Sequence, residues 1–199
     1  MAILLGLTGN IASGKTTVGH MLLELGAARY IDADTVVHQL YEPGQPIYAG
    51  VVAAFGADIL TPEGAIDRRR LGNIVFNDAE ALRRLEAIVH PAVGAAIAAQ
   101  IQAEASDAVV ILDAVKLLEG GTGALCKSRW LVICDEEQQL RRLIERDGFS
   151  EEEARARLRA QPPIAPKLAL VDEVIDNSGT LEATHAQVEA AWERFRADA

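Results

Sequence analysis

A parallel α/β fold, a five-stranded sheet with helices on both faces, is predicted by three observations along this chain. Short apolar runs recur near residues 3–8, 28–34, 108–113, 129–134 and 171–176, and a segment with helical periodicity follows each. The run 108–112 is apolar without alternation, as a strand buried on both faces should be. The 199 residues are 50% hydrophobic, enough for one substantial core with a small appended part.

The first strand leads directly into Gly9-Asn10-Ile11-Ala12-Ser13-Gly14-Lys15-Thr16, which has the spacing of a phosphate-binding loop. In such a loop glycines let backbone N–H groups converge on phosphate oxygens, a lysine reaches the outer phosphates, and a hydroxyl holds Mg²⁺. Val18, Met21, Leu22 and Leu25 mark a helix behind it, which places the helix N-terminus at the anion. An ordinary glycine-rich turn would not need the lysine and hydroxyl.

The second strand, 28–34, ends in Asp32 and Asp34, at the strand end where α/β sheets line their ligand crevice. If the strand persists, both carboxylates point to one face. One would then accept a proton from a substrate hydroxyl while the other orients Mg²⁺ waters or caps the next helix. The alternative is that Asp34 is only the N-cap of the helix through Val36, Val37 and Leu40.

A polar turn at 41–46 precedes a helix through Ile47, Val51, Val52 and Phe55, and 58–66 reads as loop. Arg68, Arg69 and Arg70 then head a helix and are the one tight basic cluster, suited to gripping an anionic acceptor or to a solvated face. A long helix from 78 to about 105 is interrupted at His90-Pro91, either by a kink or by a new start. His90 stands alone, without a metal-spaced partner, and reads as structural or substrate-lining.

Asp113 closes the third strand as a second-shell Mg²⁺ group, a substrate contact or a helix cap. The glycines over 119–123 lack a lysine and a helix start, so they read as a flexible connection. In the helix 135–147, Arg142 and Arg146 share a face. Ser150 with Glu153 opens another helix, whose far end carries Arg155, Arg157 and Arg159. The prolines over 161–167 exclude regular helix and make a stiff connection, so this arginine-bearing pair suits a lid that closes over phosphates. The fifth strand, 171–176, and a helix to about 195 complete the chain.

A net charge of −10 argues against a nucleic-acid surface, and no apolar run approaches the roughly 20 residues of a membrane span. Two cysteines without metal or disulfide spacing, and no leader pattern after Met1, point to a reducing cytoplasm. From the residues alone, the chain is an enzyme using Mg²⁺ and a nucleoside triphosphate, transferring phosphoryl to a small hydroxylated acceptor.

The same motifs resemble the dephospho-CoA kinase family over essentially the whole chain. They are the loop 7–17, Ile31-Asp32-Ala33-Asp34, Arg68-Arg69, the stretch Leu85 to Pro91, Arg159-Ala160-Gln161, Lys167, Asp172, and Val174 to Gly179. The resemblance implies ATP-dependent phosphorylation of the ribose 3′-hydroxyl of dephospho-CoA, the last step of CoA biosynthesis. It implies Asp34 as base, Lys15 and Arg142 as catalytic cations, and Thr16 on Mg²⁺. ATP would be held by Asn10, Ile11, Ala12, Ser13, Gly14, Lys15, Thr16 and Thr17, with Arg142, Arg159 and Asn177. The acceptor would meet Asp32, Asp34, Arg68, Arg69, His90 and Asp113. On this reading 1–33, 106–147 and 168–199 form the kinase core, 34–105 the acceptor-side helical region and 148–167 the lid, in a monomer or small homo-oligomer.

Departures fall in Gly9-Asn10-Ile11-Ala12, where the family usually reads Gly-Gly-Ile-Gly, and at Asp113-Ala114-Val115-Lys116, where a proline and a leucine are replaced. A kinase for another acceptor, such as a nucleoside monophosphate or a polyol, and a non-catalytic nucleotide-binding module are the competing readings.

Overall fold

The computed structural model describes residues 1–119 and 121–198; Gly120, within the glycine-rich connection expected over 119–123, lies outside the described residues. Among the described residues the strands are β1 (Ile3–Thr8), β2 (Arg29–Asp32), β3 (Val109–Asp113), β4 (Ser128–Ile133) and β5 (Glu173–Asp176). They form one sheet in the order β2-β3-β1-β4-β5. β1 runs parallel to β3, with Leu7 opposite Asp113, and parallel to β4, with Leu7 opposite Trp130; β5 pairs parallel with β4.

The helices are α1 (Lys15–Glu24), α2 (Ala33–Leu40), α3 (Pro46–Phe55), α4 (Arg68–Asn77) and α5 (Ala79–Gln102), followed by α6 (Glu136–Glu145), α7 (Glu151–Arg159), α8 (Ala165–Leu168) and α9 (Leu181–Ala197). The chain divides into two units, one of Met1–Ile31 with Glu104–Ala199 and one of Asp32–Ala103. Among the described residues no helix is long and apolar enough to cross a membrane.

In the first unit, Leu5 and Leu7 of β1, Ile111 of β3 and Trp130 and Val132 of β4 pack with Val18 and Leu22 of α1 and Val188, Trp192 and Phe195 of α9. Burying each such leucine is worth about 1.5–3 kcal/mol. The Trp130 ring meets Phe195 edge-on at 6.4 Å, and its indole N–H donates to Ser128 Oγ at 3.0 Å, so the largest core side chain leaves no polar atom stranded. A second cluster joins Ala12 of the phosphate loop to Leu143 of α6 and Ala154 of α7, with Leu140, Phe149 and Leu158 against it.

The second unit is helical. Its longest helix, α5, packs against α2, α3 and α4. Aspartates cap three of its helices: Asp32 accepts from the Asp34 and Thr35 N–H groups, Asp67 from Arg69 and Arg70, and Asp78 from Glu80 and Ala81.

Local expectations are refined at four places. β2 stops at Asp32, which is itself the N-cap of α2, so Asp34 lies in the first helical turn and the two carboxylates do not alternate on a strand. Capping Asp32 halts the strand because its side chain supplies the acceptor that the α2 N–H groups need. α5 runs unbroken through Pro91. Packing on three helices offsets the hydrogen bond that proline removes. Within 161–167, expected to be irregular throughout, α8 forms one turn with Pro166 in its opening positions, where no N–H is required. Within the connection expected over 119–123, residues Gly121–Leu125 form a 3₁₀ turn.

Candidate active site

The phosphate loop leaves β1 and turns at Gly14, whose φ of 98° only glycine adopts without strain. A Cβ there would strike Asn177 Nδ2. Ala12 is the one non-glycine residue with positive φ among the described residues, at 56°. Its methyl is buried in the cluster with Leu143 and Ala154, so the departure from glycine adds packing at the price of a left-handed backbone. The loop is thereby anchored to α6 and α7.

Hydrogen bonds hold the loop from outside. Arg142 Nη1 donates to the carbonyls of Ala12 at 3.0 Å and Ser13 at 3.2 Å, and its Nη2 to the Asn177 carbonyl and Gln138 Oε1 at 3.3 Å each. Asn177 Nδ2 donates to the Ser13 carbonyl at 2.9 Å, while Thr184 donates to Asn177 Oδ1 at 3.0 Å. Gln139 Nε2 donates to the Ile11 carbonyl, and the Ile11 N–H donates to Gln161 Oε1, both at 3.1 Å. Asn10 Nδ2 donates to the Pro162 carbonyl and its Oδ1 accepts from Lys167 Nζ, again at 3.1 Å each.

Carbonyls are therefore bonded on the outside; the Ile11 N–H goes to Gln161 and the Ser13 N–H to the Asn10 carbonyl at 3.3 Å, which leaves the N–H groups at the start of α1 for a ligand. Lys15, Thr16 and Thr17 open α1 and have no carbonyl one turn back within the helix to receive their N–H groups. Ser13 Oγ is buried and has no hydrogen-bond partner among the described residues. An orphaned buried hydroxyl and a row of unpaired helix-terminal donors are what an incoming phosphate would satisfy. The Lys15 ammonium rests on the Gly9 carbonyl at 3.1 Å.

The expected donor-side residues thus separate into two kinds. Ser13, Gly14, Lys15, Thr16 and Thr17 present free or lightly held groups. The side chains of Asn10, Arg142 and Asn177, and the Ile11 N–H, are committed to shaping the loop. Arg142 turns to the loop while Arg146, expected on the same face, chelates Asp147 at 2.7 and 2.9 Å. Of the lid arginines, Arg155 pairs with Glu151 and Arg157 lies 4.1 Å from the Phe149 ring centre, whereas Arg159 is exposed with no partner among the described residues.

Asp113 is 5% exposed at the end of β3, and the Tyr30 hydroxyl donates to its Oδ2 at 2.6 Å. Among the described residues no group of three or more His, Cys, Asp or Glu could hold a metal ion. The exposed Thr16 hydroxyl can nonetheless share a hard cation with phosphate oxygens and water, which is how Mg²⁺ is usually held.

In the second unit Asp34 is exposed and its carboxylate has no hydrogen bond or ion pair among the described residues, while Asp32 is spent on its cap and on the Thr35 hydroxyl at 2.9 Å. The arginine cluster divides as well. Arg70 bonds Asp67 and the carbonyls of Asp58 and Leu60, so it is structural, whereas Arg68 and Arg69 are exposed and unpaired among the described residues. Half-burial pushes the Tyr41 phenol above its usual range, against the opposing Arg68 guanidinium, which brings Tyr41 to the cluster. His90 is exposed on α5.

Gln139, Gln161 and Lys167 were not assigned site roles from the sequence. Their partners lie 128 to 157 residues away in the chain, beyond any local pattern.

A family model described as dephospho-CoA kinase matches residues 3–183. A dephospho-CoA kinase of Symbiobacterium thermophilum is 48% identical over 191 residues, covering 95% of this chain and 80% of the relative. The crystal structure of TT1252 from Thermus thermophilus superposes with a TM-score of 0.83 at 32% identity, covering 97% of each chain. A dephospho-CoA kinase from Campylobacter jejuni does so with a TM-score of 0.58 at 28% identity over 96% of each chain. With its loop intact and its matches running nearly end to end, the chain belongs to the dephospho-CoA kinase family.

Proposed function

We propose that this chain carries out its family's reaction, ATP-dependent phosphorylation of dephospho-CoA, at the ribose 3′-hydroxyl. The observation that carries this reading is the phosphate loop, with unpaired N–H donors at the start of α1 and the orphaned Ser13 hydroxyl. ATP binds there through its phosphates. Lys15 leaves the Gly9 carbonyl for the β- and γ-phosphates. Arg142 acts on the transferred group through the loop whose carbonyls it holds. Arg159, without a partner among the described residues, comes down with the lid over 148–167.

On the acceptor side, Arg68 and Arg69 bind the anionic substrate, with His90 and Asp113 as further contacts. Asp34 takes the proton of the acceptor hydroxyl as that oxygen forms its bond to the γ-phosphorus and ADP leaves. Asp32 serves by capping α2 and holding the turn that carries Asp34. Thr16 would hold Mg²⁺, which would supply charge neutralisation of the phosphates there. A reducing, cytoplasmic setting is part of this reading, supported by two unpaired thiols.

The test is a product assay with γ-labelled ATP, in which dephospho-CoA competes with nucleoside monophosphates and small polyols. The label is expected on the 3′-hydroxyl of dephospho-CoA, with that acceptor preferred. Label elsewhere, or no preference, overturns the reading.

A further inference from the structure

Lys167 is 7% exposed, and its ammonium makes one hydrogen bond, to Asn10 Oδ1 at 3.1 Å. Among the described residues it forms no direct ion pair; burial lowers its pKa, with the Glu119 carboxylate attracting and the Lys15 ammonium repelling it from farther off. Lysine is seldom buried unless paired, because removing an ammonium from water is costly. A methionine would fill the same space without that cost, so core packing does not account for a lysine here.

The bond partner shows what the ammonium does. Asn10 is 8% exposed and opens the phosphate loop. Its amide can face one way only: Oδ1 toward the Lys167 donor, Nδ2 toward the Pro162 carbonyl at 3.1 Å. One residue on, the Ile11 N–H donates to Gln161 Oε1. Lys167 is itself placed by its backbone N–H, which donates to the Ile164 carbonyl at 2.8 Å. Residues 161–167 thus form a strap across the opening of the loop, and Ala12, in its left-handed conformation, follows directly.

We propose that Lys167 is a positioning residue of the donor site: acting through Asn10, it clamps the phosphate loop to the Gln161–Pro162 strap and holds the loop in its nucleotide-binding shape. The proposal rests on the loop being the ATP site, not on the identity of the base or the acceptor. It gives Lys167 a role different from that of Lys15, whose ammonium rests on the Gly9 carbonyl and repels that of Lys167.

The experiment measures ATP affinity by calorimetry without acceptor, and the KM of each substrate, for Lys167→Met, Lys167→Gln and Lys167→Arg. ATP binding is expected to weaken by about tenfold or more in Lys167→Met, less in Lys167→Gln, and little in Lys167→Arg, while the KM of the acceptor stays within about twofold. Adding Asn10→Ala to Lys167→Met should weaken ATP binding no further than the worse single change, since both cut one connection. Parent-like ATP affinity in a folded Met or Gln variant overturns the proposal. So does an equal loss for both substrates, full additivity with Asn10→Ala, or failure of both neutral variants to fold.

Discussion

Asn177 Nδ2 donates to the carbonyl of Ser13 over 2.9 Å, joining the end of β5 to a loop 164 residues earlier in the chain. Thr184 holds the other end of the same amide at 3.0 Å. Asn177→Leu would orphan both groups in a buried setting, where each unsatisfied polar atom costs about 1–3 kcal/mol. The expected result is a melting temperature lower by several degrees, at about 2–4 °C per kcal/mol, with a raised KM for ATP. Scanning calorimetry and initial rates check both.

The Asp34 carboxylate makes no contact that holds the fold among the described residues, so Asp34→Asn, which keeps the capped backbone N–H, separates chemistry from stability. As general base it should lose about 10²- to 10⁴-fold in kcat with an unchanged melting temperature. A non-catalytic nucleotide-binding module would give a variant indistinguishable from its parent.

Lys15→Ala removes the cation proposed to meet the outer phosphates while leaving the core intact. A loss of about 10²-fold or more in kcat is expected at saturating ATP, with circular dichroism unchanged. Near-parent turnover would show that the loop does not stabilise the transferred group.

The three neighbouring arginines should behave differently. Arg68→Ala and Arg69→Ala are expected to raise the KM of dephospho-CoA and leave stability alone. Arg70→Ala breaks bonds to Asp67, Asp58 and Leu60, so it should lower the melting temperature instead. Substrate titrations paired with thermal melts distinguish the two patterns.

Burial pushes the Cys126 thiol up to about 11, against a smaller opposing pull from Arg129. The unfolded thiol ionises near 8.5, so between about pH 8.5 and 11 the unfolded chain binds fewer protons and stability falls as pH rises. Denaturant midpoints across that window should decline in the parent and decline less in Cys126→Ala. At pH 8, alkylation followed by mass spectrometry should find native Cys126 largely unmodified.

The strands and the loop were legible because both leave local marks, an apolar run and a fixed Gly-Lys-Thr spacing. The end of β2 was misjudged by two residues, since Asp32 and Asp34 are equally good caps on paper and only the fold chooses between them. Pro91 left a kink or a new start open, and α5, packed on α2, α3 and α4, continues through it. The struts around the loop, Gln139, Gln161 and Lys167, leave no periodic trace because each works on a partner far away in the chain.

Those distances also set an order of events during synthesis. The loop is complete by residue 16, but the groups that brace it arrive at Gln139, Arg142, Gln161, Lys167 and Asn177. At about 5–20 residues per second, roughly 8–30 s pass on the ribosome before the last of them is made. A nascent chain short of that point carries the nucleotide motif without its braces, so ATP acts as a ligand of the finished protein and gives little help to the growing one.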